Sequence, residues 1–154
     1  MVDISVLKKQ PFFKTFSDAE LKVFSERLLL DDYVAQFTVF NENQIGDDSM
    51  YIVVEGAVKI VKKNKTEETF IANLQAGEWF GEMSMLYPAP RSASAVTIKP
   101  CKLIRFTDRD YNDFKKTQPS IVMKLNEIFI KTLVARLRDA DKKLAKDGYG
   151  IGAL

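Results

Sequence analysis

The chain has 154 residues, 46% of them hydrophobic, and this composition predicts one globular domain with a real core. Its 23 basic and 21 acidic residues leave a net charge of +2, without the general basic field that nucleic-acid-binding proteins carry. The absence of histidine and the single cysteine exclude zinc sites of the Cys/His kind, histidine-activated nucleophiles and an internal disulfide.

The sequence also bears on three other classes of protein: enzymes without histidine, membrane proteins and secreted proteins. Carboxylate-only magnesium or glycosidase chemistry stays open, but no acidic pair has a compelling frame for it, so we expect no enzyme, no metal and no cofactor. The apolar runs are too short to span a membrane and MVDISVLKKQ lacks a signal-peptide pattern, so we expect a cytoplasmic protein.

The first predicted elements are helices within residues 1–30. In SDAELKVFSERLL (17–29), Ser17 and Glu20 have the spacing of a capping box, which marks a helix N-terminus. Leu21, Phe24 and Leu28 then recur at helical spacing. The pattern predicts a helix over 17–29.

Residues 31–107 change to short segments rich in β-branched and aromatic residues, separated by Gly, Asn, Asp or Pro. The segments are YVAQFTVF (33–40), MYIVVEG (50–56), AVKIVKK (57–63), TFIANL (69–74), SASAVTI (92–98) and CKLIRF (101–106). Six or more strands with no helix to make parallel crossovers predict an antiparallel sandwich or barrel. Cys101 is expected to be a buried small hydrophobe on a strand.

Residues 108–146 are predicted to form a short helix (about 108–116) and a long one (120–145), with Pro119 where the second can begin. The long helix has mostly apolar residues, with one asparagine, at the 3,4 spacing of a coiled-coil seam: Met123, Asn126, Ile130, Leu133, Leu137, Ala140 and Leu144. Its first half is widened by Ile121, Val122, Leu125, Phe129 and Val134. We expect the first half to dock on the domain and the second, flanked by Arg136, Asp141 and Lys143, to pair with a second copy. A helix folded entirely against its own domain is the alternative. Residues 147–154, ending in GYGIGAL, are expected to be a flexible tail.

The segment FGEMSMLYPAPRSASA (80–95) carries the chemistry. Gly81 lets the chain leave a strand, and EMSML can then form one helical turn whose free N–H groups suit an anion. A carboxylate at Glu82 suits a sugar hydroxyl, and the guanidinium fork of Arg91 suits a phosphate. Ser92 adds a hydroxyl donor and Ala93 leaves room for backbone N–H groups. A ligand with a sugar hydroxyl close to a phosphate, such as a cyclic nucleotide, fits this set.

The same segment resembles the phosphate-binding cassette of cyclic nucleotide-binding domains, which occur in kinase regulatory subunits, catabolite-activator-type regulators and nucleotide-gated channels. The resemblance extends to LKKQPFFKTFSDAEL (7–21) and to DDSMYIVVEGAVKI (47–60), with its turn at Gly56. It implies one domain over 1–154: a mainly β, antiparallel eight-stranded jelly-roll barrel (a double-stranded β-helix) between N-terminal helices and a long C-terminal helix. The chain differs from the family in having Gln36 and Asn43 where glycines are usual, and NQIGDDS is one residue longer. Asn43 suits a left-handed turn, whereas Gln36 implies a different turn.

The resemblance implies a role for each residue of the cassette. Glu82 would hold the ribose hydroxyl and Arg91 the exocyclic phosphate oxygens. The other predicted ligand-binding residues are Phe80, Gly81, Met83, Ser84, Ser92, Ala93, Ile60 and Ile71. Plain core packing is the favoured interpretation for Val58, Ile60 and Ile71, although strand alternation would also let them line a base pocket. Trp79 is expected to pack rather than to stack on a base.

The expected function is a cyclic nucleotide sensor that prefers cAMP over cGMP and couples binding to movement of its C-terminal helix. We expect a homodimer through Leu133, Leu137 and Leu144, an effector protein that it regulates, and no DNA binding within these 154 residues. The alternatives are a structural or partner-docking module of this fold that does not bind nucleotide, and a cupin-like enzyme, which usually needs metal ligands that a histidine-free chain lacks.

Overall fold

A computed structural model describes residues 1–148 of the chain. The helices are α1 (Ile4–Lys8), a 3₁₀ helix (Pro11–Phe13), α2 (Asp18–Ser25), α3 (Glu82–Leu86), α4 (Asp108–Thr117) and α5 (Pro119–Lys146). The strands are β1 (Leu29–Tyr33), β2 (Thr38–Phe40), β3 (Met50–Glu55), β4 (Ala57–Asn64), β5 (Glu67–Gln75), β6 (Trp79–Phe80), β7 (Ser94–Thr97) and β8 (Cys101–Phe106). The β-rich architecture with flanking helices and a long C-terminal helix is therefore confirmed.

The eight strands form two antiparallel sheets of four, in the orders β1-β8-β3-β6 and β2-β7-β4-β5. Among the described residues the strand pairings lie within each sheet, so two antiparallel sheets are shown and closure into the predicted jelly-roll barrel stays a prediction. One hydrophobic cluster combines residues of both sheets, among them Tyr51, Val58 and Leu103. The two sheets are therefore packed against each other.

Strand β3 shows how alternation builds two cores. Tyr51 and Val53 belong to the cluster between the sheets, whereas Met50 and Ile52 belong to the cluster beneath the helices. Successive side chains of a strand point to opposite faces, so one buried strand serves both clusters. Cys101 is 3% exposed on β8, as expected of a small hydrophobe.

Helix α2 starts as predicted and ends earlier. The Ser17 side chain accepts from the Glu20 N–H at 3.2 Å and the Glu20 carboxylate accepts from the Ser17 N–H at 2.9 Å, which confirms the capping box. The helix ends at Ser25, not at 29, because the chain enters β1 at Leu29, where it pairs with β8. Between these elements Arg27 donates to Asp110 and Asp113 of α4 at 2.9 and 2.8 Å.

The predicted strand 33–40 is wrong in extent, because a turn divides it into the end of β1 and all of β2. Gln36 has φ = 60°, the left-handed conformation that glycine adopts readily, so this chain keeps such a turn without glycine. Buried Thr97 holds the turn: its hydroxyl donates to the Val34 carbonyl at 2.7 Å and accepts from the Phe37 N–H at 2.8 Å. Hydrogen bonds with Thr97 therefore stabilise a left-handed turn that a glycine would adopt readily by itself.

The C-terminal helices match their predicted bounds to within a residue or two, and Thr107 caps α4 by accepting from the Asp110 N–H. The first half of α5 docks through Ile121, Val122, Leu125 and Phe129, all buried. The expectation that Val134 widens that docking face is wrong, because this residue is 40% exposed. The predicted tail lies, from residue 149 onward, outside the described residues.

Candidate functional site

Gly81 makes the turn from β6 into α3 and sets the position of Glu82. Its φ of 87° is left-handed, and a Cβ there would lie 2.9 Å from the Ser49 carbonyl oxygen and 3.2 Å from Arg91 Nη1. The turn therefore requires both the freedom and the small size of glycine. It places Glu82 in the first turn of α3, with the side chain fully buried.

Arg91 is 3% exposed and is held in place within the protein. Its Nη2 donates to the Ser49 carbonyl at 2.7 Å and its Nη1 to the Gly81 carbonyl at 3.2 Å. Its Cζ lies 4.0 Å from the centre of the Phe40 ring, a cation–π contact. Burial lowers the pKa of this guanidinium, and the negative charge of Asp47 opposes that shift.

The main chain of Arg91 is fixed to the loop before β3. The Asn43 N–H donates to the Arg91 carbonyl at 2.8 Å, and the Arg91 N–H donates to the Gln44 carbonyl at 3.0 Å. Asn43 has φ = 67°, so the expected left-handed asparagine is confirmed. Both the backbone and the side chain of Arg91 are thus positioned before any ligand arrives.

These residues line one cavity of about 660 Å³ between the second sheet, the cassette and α5. All the residues that the sequence predicted for the site contribute to its wall: Ile60, Ile71, Phe80, Gly81, Glu82, Met83, Ser84, Arg91, Ser92 and Ala93. Phe40, Phe70, Ala72 and Leu74 add further apolar surface. The size and the mainly apolar wall with few polar groups are typical of a small-ligand site.

The alternatives for three apolar residues are resolved by their positions. Val58 is fully buried in the core between the sheets. Ile60 and Ile71 line the cavity, and plain core packing is wrong for Ile71, which is 50% exposed. Trp79 packs edge-on against Phe12, with ring centres 5.0 Å apart, as the packing interpretation expects.

Four wall residues come from the second half of α5 and were not predicted: Arg136, Asp139, Ala140 and Lys143. Arg136 donates through Nη1 to the Glu82 carboxylate and through Nη2 to the Trp79 carbonyl at 2.9 Å. Arg136 and Lys143 therefore face the cavity instead of only flanking a helix seam. Asp141, expected beside an exposed seam, is 7% exposed within the single chain. The sequence did not indicate that Arg136 and Lys143 contact the cavity, because cations beside a heptad seam are usually solvated or pair with a partner helix.

Glu82 and Arg91 each leave one polar atom unsatisfied at the cavity. Burial raises the pKa of the Glu82 carboxyl, and the Arg136 guanidinium opposes this shift. Glu82 Oε2 and Arg91 Nε are buried and have no hydrogen-bond partner among residues 1–148. Buried polar atoms are normally paired, so Glu82 Oε2 and Arg91 Nε, which belong to two residues of the same cavity wall, are a candidate acceptor and a candidate donor for a ligand.

The described part of the chain offers neither a metal centre nor a membrane-spanning helix. Residues 1–148 contain no group of three or more His, Cys, Asp or Glu side chains arranged to hold a metal ion. No helix in that range is long and apolar enough to cross a membrane.

Comparison with known proteins places the geometry in context. The family model described as cyclic nucleotide-binding domain matches residues 31–118. The Cyclic AMP receptor protein of Thermus thermophilus is 31% identical over 143 residues, which are 90% of this chain and 62% of that protein. A cGMP-dependent protein kinase of Plasmodium berghei is 30% identical over 93 residues, 60% of this chain and 10% of the kinase.

The fold is shared with solved structures. A crystal structure of a cyclic nucleotide-binding domain from Methylobacillus flagellatus superimposes with a TM-score of 0.81 at 23% identity, covering 98% of this chain and 84% of that one. The chain spans about three fifths of the length of the curated regulators that it matches over most of its own length.

Proposed function

The chain belongs to the cyclic nucleotide-binding domain family, and on that premise we propose that it is a regulatory sensor that binds a cyclic nucleotide in the cavity beside α3. One observation carries the proposal: a buried acceptor, Glu82 Oε2, and a buried donor, Arg91 Nε, are unsatisfied in the same cavity wall. A cyclic nucleotide offers a 2′-hydroxyl donor and a phosphate acceptor close together, which complements this pair.

Each part of the ligand then has a complementary surface. The ribose 2′-hydroxyl donates to Glu82, and the phosphate accepts from Arg91 and from the main chain around Gly81, with Ser92 and Ala93 beside it. Ile60 and Ile71 supply apolar surface for the base. Because Arg91 is already fixed by two carbonyls, little side-chain ordering remains for binding to accomplish.

For the base, we propose a preference for cAMP over cGMP. The relatives that match about 90% of this chain are regulators named for cAMP, whereas kinase proteins named for cAMP and for cGMP match 54% and 60%. A continuous match over 90% of the chain reaches Arg136 of α5, which is one of the residues that line the cavity. The matched region therefore extends over part of the wall that α5 contributes.

We also propose that binding is coupled to the position of α5. Arg136 of α5 occupies one oxygen of the carboxylate that is assigned to the ribose. A ligand that donates to Glu82 and enters the cavity changes the surroundings of Arg136 and Ala140 directly, so the second half of α5 has different contacts in the free and bound states.

A homodimer through α5 is the proposed assembly. Leu137 and Leu144 are 51% and 47% exposed, and half-buried Leu133 continues their stripe. Ala140 lies at the same heptad spacing as this stripe and also lines the cavity. Pairing would cover the stripe and would give the sensor an output surface next to its ligand, through which an effector protein could be regulated.

Titration calorimetry with cAMP and with cGMP tests the proposal on three proteins: wild type, Arg91→Ala, and Arg138→Ala, which changes an exposed α5 arginine outside the cavity wall. Hydrogen bonds to charged groups contribute about 1.5–3 kcal/mol, so Arg91→Ala should weaken binding roughly a hundredfold. Arg138→Ala should bind as wild type does. A folded wild type that binds neither nucleotide would instead favour a partner-docking module, and tighter binding of cGMP would reverse the assigned preference.

A further inference from the structure

The cassette and α5 are joined through a buried carboxylate and a half-exposed cation. The Glu82 side chain is 0% exposed, and the Arg136 side chain that pairs with it is 45% exposed. Arg136 also donates to the Trp79 carbonyl at 2.9 Å. One α5 side chain therefore bridges α3 and β6, and the partner at its buried end is a titratable group.

The ionised form of Glu82 depends on this bridge. A charge removed from water is stable only when it is paired and hydrogen-bonded, and breaking such a pair on one side leaves an uncompensated buried charge. A protonated carboxyl needs no counter-ion at the same depth. Once the Glu82 carboxyl is neutral, the ionic attraction that holds Arg136 at Glu82 is lost, and the half-exposed guanidinium can be solvated by water instead.

From this geometry we propose that the Glu82–Arg136 pair is an acid-operated latch: protonation of Glu82 releases the second half of α5 from the cassette in the absence of any nucleotide. The inference concerns the ligand-free protein, so it stands or falls independently of the proposed nucleotide binding. Acid would act on the same helix that the proposed ligand acts on, which would make pH a second input to the sensor.

Other charged groups near Glu82 leave Arg136 as its direct partner. The charged residues in the same cavity wall are Arg91 from the cassette and Arg136, Asp139 and Lys143 from α5. An Asp139 carboxylate oxygen is 3.2 Å from Lys143 Nζ, so these two form their own ion pair. The Arg91 guanidinium donates to the Ser49 and Gly81 carbonyls, and its acidic surroundings are Asp47, Asp48 and Asp108.

Two further neighbours keep their charge state while Glu82 gains its proton. Helix α3 packs against β3, whose buried titratable side chain is Tyr51. Burial raises the pKa of that hydroxyl, so it stays neutral below pH 7. Burial also disfavours the charge of Asp47, but hydrogen bonds from Ser49 outweigh that effect and lower the pKa of this carboxyl, so it stays ionised as Glu82 protonates.

Burial determines the direction in which the pKa of Glu82 shifts. Since burial raises the pKa of Glu82, the carboxyl gains its proton at a pH above the ordinary glutamate value of about 4.3. Native-state protonation then begins before ordinary surface carboxylates titrate. Because the folded-state pKa is raised, protonation of this group favours the folded protein as pH falls, so proton uptake by Glu82 does not itself unfold the domain.

Trp79 is the single tryptophan of the chain and reports on the latch, because its carbonyl accepts from Arg136. Tryptophan emission is followed from about pH 7.5 to 4.0 without nucleotide, with far-UV circular dichroism as the check of folding. Wild type should show a one-proton change in emission with its midpoint above about 4.3. Glu82→Gln should show the acid-form emission already at the starting pH and no transition.

Glu78→Gln is the matched control, since Glu78 adjoins Trp79 in sequence and is not part of the pair. It should keep the wild-type transition. The proposal is overturned if Glu82→Gln retains the transition, if Glu78→Gln removes it, or if Glu82→Gln at the starting pH has the emission of wild type at that pH. The last comparison needs no acid, so unfolding at low pH cannot obscure it.

Discussion

Gly81→Ala should lower both the stability of the protein and its affinity for ligand by more than the backbone preference of alanine alone would account for. The added Cβ would lie 2.9 Å from the Ser49 carbonyl oxygen and 3.2 Å from Arg91 Nη1, and the residue would also have to keep φ near 87°. The Ser49 oxygen is main chain and Arg91 is locked by its hydrogen bonds, so neither moves easily. The substitution would therefore disturb the Ser49 and Gly81 carbonyls, which orient the Arg91 guanidinium.

The loss of folding stability in Gly81→Ala has two contributions, backbone strain and steric overlap of the added Cβ. A left-handed conformation costs an L-residue about 1–2 kcal/mol, and replacing glycine recovers about 0.4–1 kcal/mol from the unfolded state. Overpacking adds about 1–3 kcal/mol. The free energy of unfolding should therefore fall by about 2–4 kcal/mol, and affinity for cAMP should fall at least tenfold because Arg91 is displaced.

Gly46→Ala is the matched control, because Gly46 has φ of 94° and no atom lies within 4 Å of the position that a Cβ would take there. It should lose about 1 kcal/mol or less and bind as wild type does. Urea denaturation and calorimetry of both variants measure the two quantities. Equal losses of stability in both variants, or unchanged binding by Gly81→Ala, would refute the view that this glycine positions Arg91.

Three further predictions address other parts of the molecule. Wild type should bind a 2′-deoxy cyclic nucleotide at least tenfold more weakly than its ribo form, since a hydrogen bond to a charged group contributes about 1.5–3 kcal/mol, and Glu82→Ala should bind both alike; equal affinities in wild type would remove the role of the carboxylate. Leu137→Asp combined with Leu144→Asp should convert a dimer into a folded monomer in sedimentation, whereas Val34→Asp, at a 69%-exposed residue outside α5, should remain dimeric; a monomeric wild type at tens of micromolar would end the dimer proposal. Gln36→Gly should raise the free energy of unfolding by about 0.5–1 kcal/mol, because it relieves a left-handed residue at φ = 60°, and a loss of stability would mean that the Gln36 side chain contributes more than its strain.

The cassette could be predicted from the sequence because its determinants are contiguous. Gly81, Glu82 and Arg91 lie within a single short segment, and each residue type has one strong physical use there. The capping box at Ser17 is equally local. In both cases the residue types and their spacing lie within one short stretch of sequence, although the contacts from Ser49, Phe40 and Gln44 that hold Arg91 come from distant residues and were not predicted.

The parts that could not be predicted depend on distant contacts. The break between β1 and β2 rests on Thr97, about sixty residues along the chain from Gln36, so no pattern around Gln36 reveals it. Arg136 lies 54 residues from Glu82 and follows a seam whose spacing is typical of pairing. Which side of a helix meets its own domain depends on how the helix is docked, and the buried first half of α5 decides that for the second half.

The loop between Gln44 and Asp47 has a practical use for protein engineering. Its main chain is anchored to Arg91 on one side, yet Ile45 is 74% exposed and the space around Gly46 is open. Chain inserted between Ile45 and Gly46 would project into solvent while its base stays joined to Arg91. If the proposed nucleotide binding holds, a circularly permuted fluorescent protein grafted there would make a single-chain biosensor, with its insertion point next to the cavity and outside α5.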